Sequence, residues 1–220
     1  MSRLARVVVP GLPHHVTQRG NGRARVFFSD ADYEFYKSLL AQHCAAAKVI
    51  VQAYVLMPNH VHLILVPKTK DGLSKAMSAT HRAYAGALNA RRKKTGHFWQ
   101  GRFGCVAMDG PHHEAALRYV LLNPVRAKLV KKPEQWRWSS AACLLGGASD
   151  NLTDSTHLRE QFGDFKSLLG NLPELEMMAL ALRQAETIGR PLGSPRFMDQ
   201  LERKLGRALK AGKRGPKGGV

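Results

Sequence analysis

The chain has 220 residues, 44% of them hydrophobic, which is enough for one substantial domain or for a domain of about 150 residues with an extension. Its 34 Lys and Arg against 16 Asp and Glu give a net charge of +18, the electrostatic footprint expected for a polyanion partner, most simply a nucleic acid. Apolar stretches no longer than a strand argue against a membrane partner, the short N-terminal apolar run argues against a secretion signal, and the scattered Cys44, Cys105 and Cys143 argue against a zinc knuckle or disulfide framework. The expectation is a cytoplasmic, nucleoid-associated protein.

Residues 14–19, HHVTQR, alternate well enough for a first strand, which Gly20-Asn21-Gly22 ends. Arg19, Arg23 and Arg25 follow among glycines, a composition suited to phosphate contact and equally to a solvated loop. Ser29 is an N-cap for a helix running to about Lys48, with Asp30 and Asp32 in its first turn and a core stripe of Tyr33, Tyr36, Leu39, Leu40 and Cys44.

In AYVLMPNHVHLILVP, residues 53–67, two apolar runs flank the turn-forming Pro58-Asn59 and predict an antiparallel hairpin, Ile50 to Leu56 and Val61 to Val66. Side chains two apart on a strand share a face, so His60 and His62 project together while Val61, Leu63 and Leu65 face the other way. Two imidazoles aimed at one point can hold a metal; they can also be ordinary polar residues on the open side of a sheet.

Asp71-Gly72 opens a second helix through about Lys94, basic at its end. HFWQGRFGCVAMD, residues 97–109, leads into a fourth strand over 103–108. There Trp99 and Phe103 could stack on unpaired bases with Arg102 on a phosphate, or pack in the core. The order strand, helix, strand, strand, helix, strand is that of an α+β, ferredoxin-like antiparallel sheet with helices on one face and the other face free.

Gly110-Pro111 starts a third helix on which Leu117, Val120 and Leu121 share a face, with Tyr119 and Asn123 together on nearly the opposite one. Pro124 disfavours helical torsions at Asn123, so the helix is expected to end there and another to begin, with Asn123 as its possible cap. SSAACLLG, after Trp136 and Trp138, reads as a small packed helix closing a domain of residues 1–148. Residues 149–210 read as a helical extension, with patches at 158–162, 174–186 and 195–209 suited to a helix-turn-helix-like DNA contact or a structural appendage. Residues 211–220 read as a disordered basic tail.

Together these residues form a chemical group. Mg²⁺ or Mn²⁺ held by His60, His62 and the Asn123 oxygen would keep positions open for phosphate oxygens and polarise the phosphorus. Tyr119, on the Asn123 face, could then attack in line and form a 5′-phosphotyrosine. That ester retains the energy of the broken bond, which suits strand transfer better than hydrolysis.

PNHVHLILVP, FWQGRF and RYVLLNPVRAKLV resemble the single-tyrosine HUH transposases and, within them, the REP-associated tyrosine transposases, over about residues 10 to 145. The resemblance implies that His60, His62 and Asn123 are metal ligands, that Tyr119 is the nucleophile, and that the substrate is single-stranded DNA carrying a hairpin. Arg19, Arg23, Arg25, Trp99, Arg102 and Arg126 form the expected DNA-contact set. Members of the family often show a glycine where this chain has Lys128. A catalytically silent hairpin-DNA-binding regulator is the competing reading, and a zinc hydrolase on the two histidines is a distant third that lacks an acidic ligand. Monomer or dimer, and tyrosine action in cis or in trans, stay open.

Overall fold

A computed structural model describes residues 6–169 and 189–209, together with 177, 180–182, 184 and 185. Four antiparallel strands, β1 (His14–Arg19), β2 (Val49–Met57), β3 (His60–Pro67) and β4 (Gly104–Ala107), pair in the order β2-β3-β1-β4. Helices α1 (Asp30–Ala46) and α2 (Gly72–Arg91) connect β1 to β2 and β3 to β4. This is the ferredoxin-like α+β arrangement expected from the element order.

Period-two alternation decides which side chains meet these two helices. Val16 of β1, Val51 of β2 and Val61, Leu63 and Leu65 of β3 join Tyr33, Tyr36, Leu39 and Leu40 of α1 and Leu73, Met77, Tyr84 and Leu88 of α2 in one core. The Tyr33–Cys44 stripe is core, as its spacing requires. Asp32 closes the N-terminus of α1, accepting from the Phe28 and Ser29 N–H groups at 2.7 and 3.1 Å and from Arg91 at 2.6 Å. The basic end of α2 is therefore partly structural: Arg91 ties the two helices together, and Arg92 lies 3.7 Å from the Phe28 ring centroid.

The second sheet face is not free. Helix α3 (Gly110–Arg126) crosses it, packing its apolar residues with Ala53, Val55 and Met57 of β2 and Ile64 of β3. Helix α3 also runs straight through Pro124 instead of ending at Asn123. Proline removes one hydrogen bond, but residues 119–124 are all buried, so packing on both sides of the helix outweighs the local preference. Asn123 is accordingly inside a helix and caps nothing. The helix ends at Ala127, followed by Lys128 with φ of 57°, a left-handed conformation that glycine adopts without strain.

Outside β2, residues 136–140 shield the sheet edge: Leu56 N–H donates to the Trp138 carbonyl at 2.8 Å, and Val55 bridges to Ser139. Short helices α4 (Ala141–Gly146), α5 (Thr156–Phe162) and α6 (Phe165–Leu168) follow. Their Leu144, Leu158 and Phe165, with Leu182 and Ala185, complete the core above α3. Of the helix expected over 174–186, the described residues 177, 180–182, 184 and 185 are helical; the remainder, and the tail from 210 onward, lie outside the described residues. Helix α7 (Pro195–Leu205) sets Leu201 against Val7 and Val9. No helix among the described residues is long and apolar enough to cross a membrane.

Burial pushes three histidines away from the chemical group well below 6.5: His14 to about 4, His81 to about 3 and His113 to about 4. His14 is held neutral by geometry as well, since its Nε2 accepts from the Val9 N–H at 3.1 Å. Below pH 6.5 the unfolded chain takes up protons that the folded chain refuses, so stability present above 6.5 is lost toward pH 4. Urea unfolding midpoints should fall steadily from pH 7 to pH 4.5; a midpoint constant over that range would contradict the assignment.

Candidate active site

The candidate chemical group lies on the sheet face under α3. The register sets Thr17 opposite His62 and Arg19 opposite His60. With Val16 turned into the other core, His15, Thr17 and Arg19 share the α3 face with His60 and His62. The two expected histidines do converge: their ring centroids are 4.9 Å apart and nearly perpendicular.

The turn between β2 and β3 is bracketed by the arginine-bearing loop. Gly20 N–H donates to the Asn59 carbonyl at 3.0 Å, and Val26 N–H to the Pro58 carbonyl at 2.9 Å. Gly20 has no substitute there, since a Cβ would lie 2.2 Å from the Ala24 carbonyl oxygen. This clamp brings Arg23 and Arg25, both exposed, to the His60 end of the sheet. Arg19 is half-buried beside the histidines themselves.

Helix α3 supplies the rest. It starts at Asp109, whose carboxylate caps it by accepting from the His112 N–H, and it brings Tyr119 onto the histidines of its own chain. The Tyr119 ring stands edge-on to His62 at 5.2 Å and to His15 at 6.0 Å between centroids. Asn123 follows one turn later, and the Arg126 guanidinium lies 5.2 Å from the Tyr119 ring centroid. His62, Tyr119 and Asn123 are only 5–7% exposed, whereas His60, Arg19 and Arg126 are half-buried, so the group opens to solvent through its basic rim.

Both histidines are neutral at physiological pH. Burial, aided by the charge of Arg19, pushes His60 down to about 3. Burial puts His62 well below its ordinary value, and His15, His60, Arg19 and Arg126 reinforce it. Neutral imidazole is the metal-binding form. The polar atoms fit that role. Asn59 donates its Nδ2 to the Arg23 carbonyl at 3.1 Å, which orients the amide so that Oδ1 accepts from His60 Nδ1 at 2.6 Å. The Nε2 lone pair of His60 is thereby left for a ligand. His62 Nδ1 is engaged with His15 Nε2 at 3.0 Å, while its buried Nε2 has no hydrogen-bond partner among the described residues. Among those residues no group of three or more His, Cys, Asp or Glu is arranged to hold a metal, so a metal at this pair would need any third protein ligand to be of another type. Asn123 is such a residue.

Neither His15 nor Asn59 stood out in the sequence as part of the site. His15 is concealed because pairing between β1 and β3, separated by α1 and β2, is not visible locally. Asn59 could have been found as the turn residue preceding His60.

Trp99 is placed differently from the expectation of a base-stacking residue. It is 9% exposed, its Nε1 donates to the His81 carbonyl at 3.0 Å, and its ring packs among His81, Phe98 and Tyr84. Phe103 is likewise buried, under the Arg6 guanidinium. Indole burial of this kind outweighs what an exposed stacking platform would retain in solvent. Arg102 remains exposed and, with Arg82, Asn89, His97 and Phe98, lines a groove of about 570 Å³. The 97–102 loop is tied to the end of β1 through Gln100 N–H to the Arg19 carbonyl at 2.8 Å, so this groove lies beyond the basic rim of the site.

The chain is thus an α+β protein of ferredoxin-like topology in which paired histidines and a helix-borne tyrosine meet on one sheet face. It belongs to the IS200-like transposase family: residues 8–123, more than half of the chain, match that family's model. A solved structure of a REP-associated tyrosine transposase bound to a REP hairpin has the same fold, with a TM-score of 0.58 at 20% identity over 70% of this chain and 92% of that one. A crystal structure from Deinococcus radiodurans R1 covers 58% of this chain and 92% of that one at 18% identity, with a TM-score of 0.38. No curated protein matches the chain.

Because Trp99 is core, Trp99→Ala should cost about 3–5 kcal/mol in urea unfolding. A change below about 0.5 kcal/mol, the range of surface substitutions, would return Trp99 to the surface.

Proposed function

We propose that the protein cleaves and rejoins single-stranded DNA at hairpin repeats, with Tyr119 as nucleophile and Mg²⁺ or Mn²⁺ held by His60, His62 and Asn123. One juxtaposition carries the reading: a tyrosine ring 5.2 Å from a neutral histidine whose Nε2 is buried without a hydrogen-bond partner among the described residues. The bound cation would supply a Lewis acid that polarises the phosphodiester.

The chain's own groups do the remaining work. Arg19 and Arg126 give the phosphate counter-charge as it enters the rim. Tyr119 Oη bonds to phosphorus as the P–O3′ bond breaks; the phenol gives up its proton and the departing strand gains a free 3′-hydroxyl. Attack by another 3′-hydroxyl reverses the step, reforming a phosphodiester and releasing Tyr119. Arg23 and Arg25 flank the site on one side and the Arg102 groove on the other, a path of positive charge for an unpaired strand. The similarity to a hairpin-bound relative supports a hairpin as the feature that delivers the strand. The packing of Tyr119 on histidines of its own chain supports action in cis.

The test is a labelled single-stranded hairpin oligonucleotide incubated with Mn²⁺ and analysed under denaturing conditions. Wild type should leave a covalent protein–DNA adduct, and Tyr119→Phe should leave none. A mixture of Tyr119→Phe with His62→Ala should also leave none, whereas action in trans would restore it. Binding of the oligonucleotide by wild type with no adduct would make the protein a silent hairpin binder, and an adduct formed by Tyr119→Phe would move the nucleophile elsewhere.

A further inference from the structure

We propose that His15 and Asn59 are positioning residues that hold His62 and His60 in one tautomer, protonated at Nδ1, so that both Nε2 lone pairs face the same point. The inference rests on the reading of His60 and His62 as metal ligands, and it concerns what makes them competent ligands.

For His60 the neighbouring amide decides the tautomer. Asn59 Nδ2 is committed to the Arg23 carbonyl, so the atom facing His60 Nδ1 at 2.6 Å is an oxygen, which can only accept. His60 Nδ1 must therefore carry the proton. Arg23 is itself held in a left-handed conformation, φ of 62°, with its carbonyl available to this amide.

For His62 the partner is an imidazole, and the direction of the bond has to be decided. On the sheet, His15 pairs with Ile64 and Thr17 with His62, which makes His15 and His62 diagonal neighbours on one face. Their rings are tilted by only 4°, with centroids 5.1 Å apart and His15 Nε2 to His62 Nδ1 at 3.0 Å. At that centroid separation the parallel rings meet edge to edge, not face to face, which suits an N–H···N bond between them. If His15 donated, the proton of neutral His62 would sit on its Nε2. That atom is buried and has no acceptor among the described residues. If His62 Nδ1 donates, the same Nε2 is a bare lone pair, which a buried cation can satisfy. The reading of His62 as a metal ligand selects the second arrangement, because only a bare Nε2 can bind a cation. Metal-binding histidines depend on such partners for tautomer and ring orientation.

Long-range ¹H–¹⁵N NMR on the metal-free protein at pH 7.5 reads each tautomer directly, with the resonances assigned by single substitutions. Wild type should show His60 and His62 protonated at Nδ1. His15→Phe, which removes the acceptor, should move the His62 proton wholly or partly to Nε2, and His15→Gln, which retains an acceptor, should move it less. Asn59→Ala should do the same to His60 alone. Mn²⁺ titration followed by electron paramagnetic resonance gives a second readout: His15→Phe should weaken binding 10- to 100-fold, with most of the loss recovered in His15→Gln. A wild-type His62 protonated at Nε2 overturns the proposal, even if His15→Phe fails to fold. So does a folded His15→Phe with unaltered tautomer and Mn²⁺ affinity. The stated tautomers in a wild type that takes up no Mn²⁺ would uphold the proposal and instead remove the metal from the proposed function.

Discussion

The pairing of β1 with β3 is the constraint on which the rest of the molecule depends. With Thr17 opposite His62, the alternation of both strands sends Val16, Val61, Leu63 and Leu65 into the α1–α2 core and leaves His15, His60 and His62 together on the other face. A one-residue slip would exchange these sets, burying imidazoles in the α1–α2 core and turning the apolar side chains onto the α3 face. The same bonds that make the core therefore make the site. Burying a Leu or Val side chain is worth about 1.5–3 kcal/mol. Several such side chains on one strand hold the histidine register far more firmly than any contact among the histidines.

Placing histidines on a sheet face and covering it with α3 creates a problem that their hydrogen bonds resolve only in part. A buried imidazole needs a partner for each nitrogen or a reason to lack one. Nδ1 of His60 and Nδ1 of His62 are both matched by protein, while Nε2 of His62 has no hydrogen-bond partner among the described residues. Arg19 and Arg126 oppose protonation from either side, which keeps the site neutral at its centre and positive at its rim. A phosphate is attracted by that rim, and a cation by the unprotonated nitrogens. In the proposed chemistry the excess of basic residues would serve long-range attraction of the strand, and the buried centre would hold the cation.

Much of this was legible in the residues, for definable reasons. The strand pattern around His60 and His62 set their common face because period-two alternation is local. The spacing of Tyr119 and Asn123 set their common stripe because helical periodicity is local too. What escaped was non-local. His15 became part of the group through the β1–β3 register, which no short window contains. Pro124 was read as a helix end by its intrinsic preference, which burial of residues 119–124 on both sides overrides. Trp99 could be read locally either as a base-stacking aromatic or as core, and only the tertiary packing decides: its ring completes the cluster of Tyr36, Tyr84 and His81. The sheet face expected to be open is roofed by α3, and that roof brings the tyrosine to the histidines.

In the proposed site one chain supplies two Nε2 nitrogens, one amide oxygen and one phenol to a single point. Anomalous diffraction from crystals grown with Mn²⁺ tests it most directly. A single Mn²⁺ bonded to His60 Nε2, His62 Nε2 and Asn123 Oδ1, with the Tyr119 hydroxyl of the same chain beside it, is the predicted result. Mn²⁺ bound elsewhere, or bound by the histidines with Asn123 turned away or the tyrosine contributed by a second copy, would contradict the account.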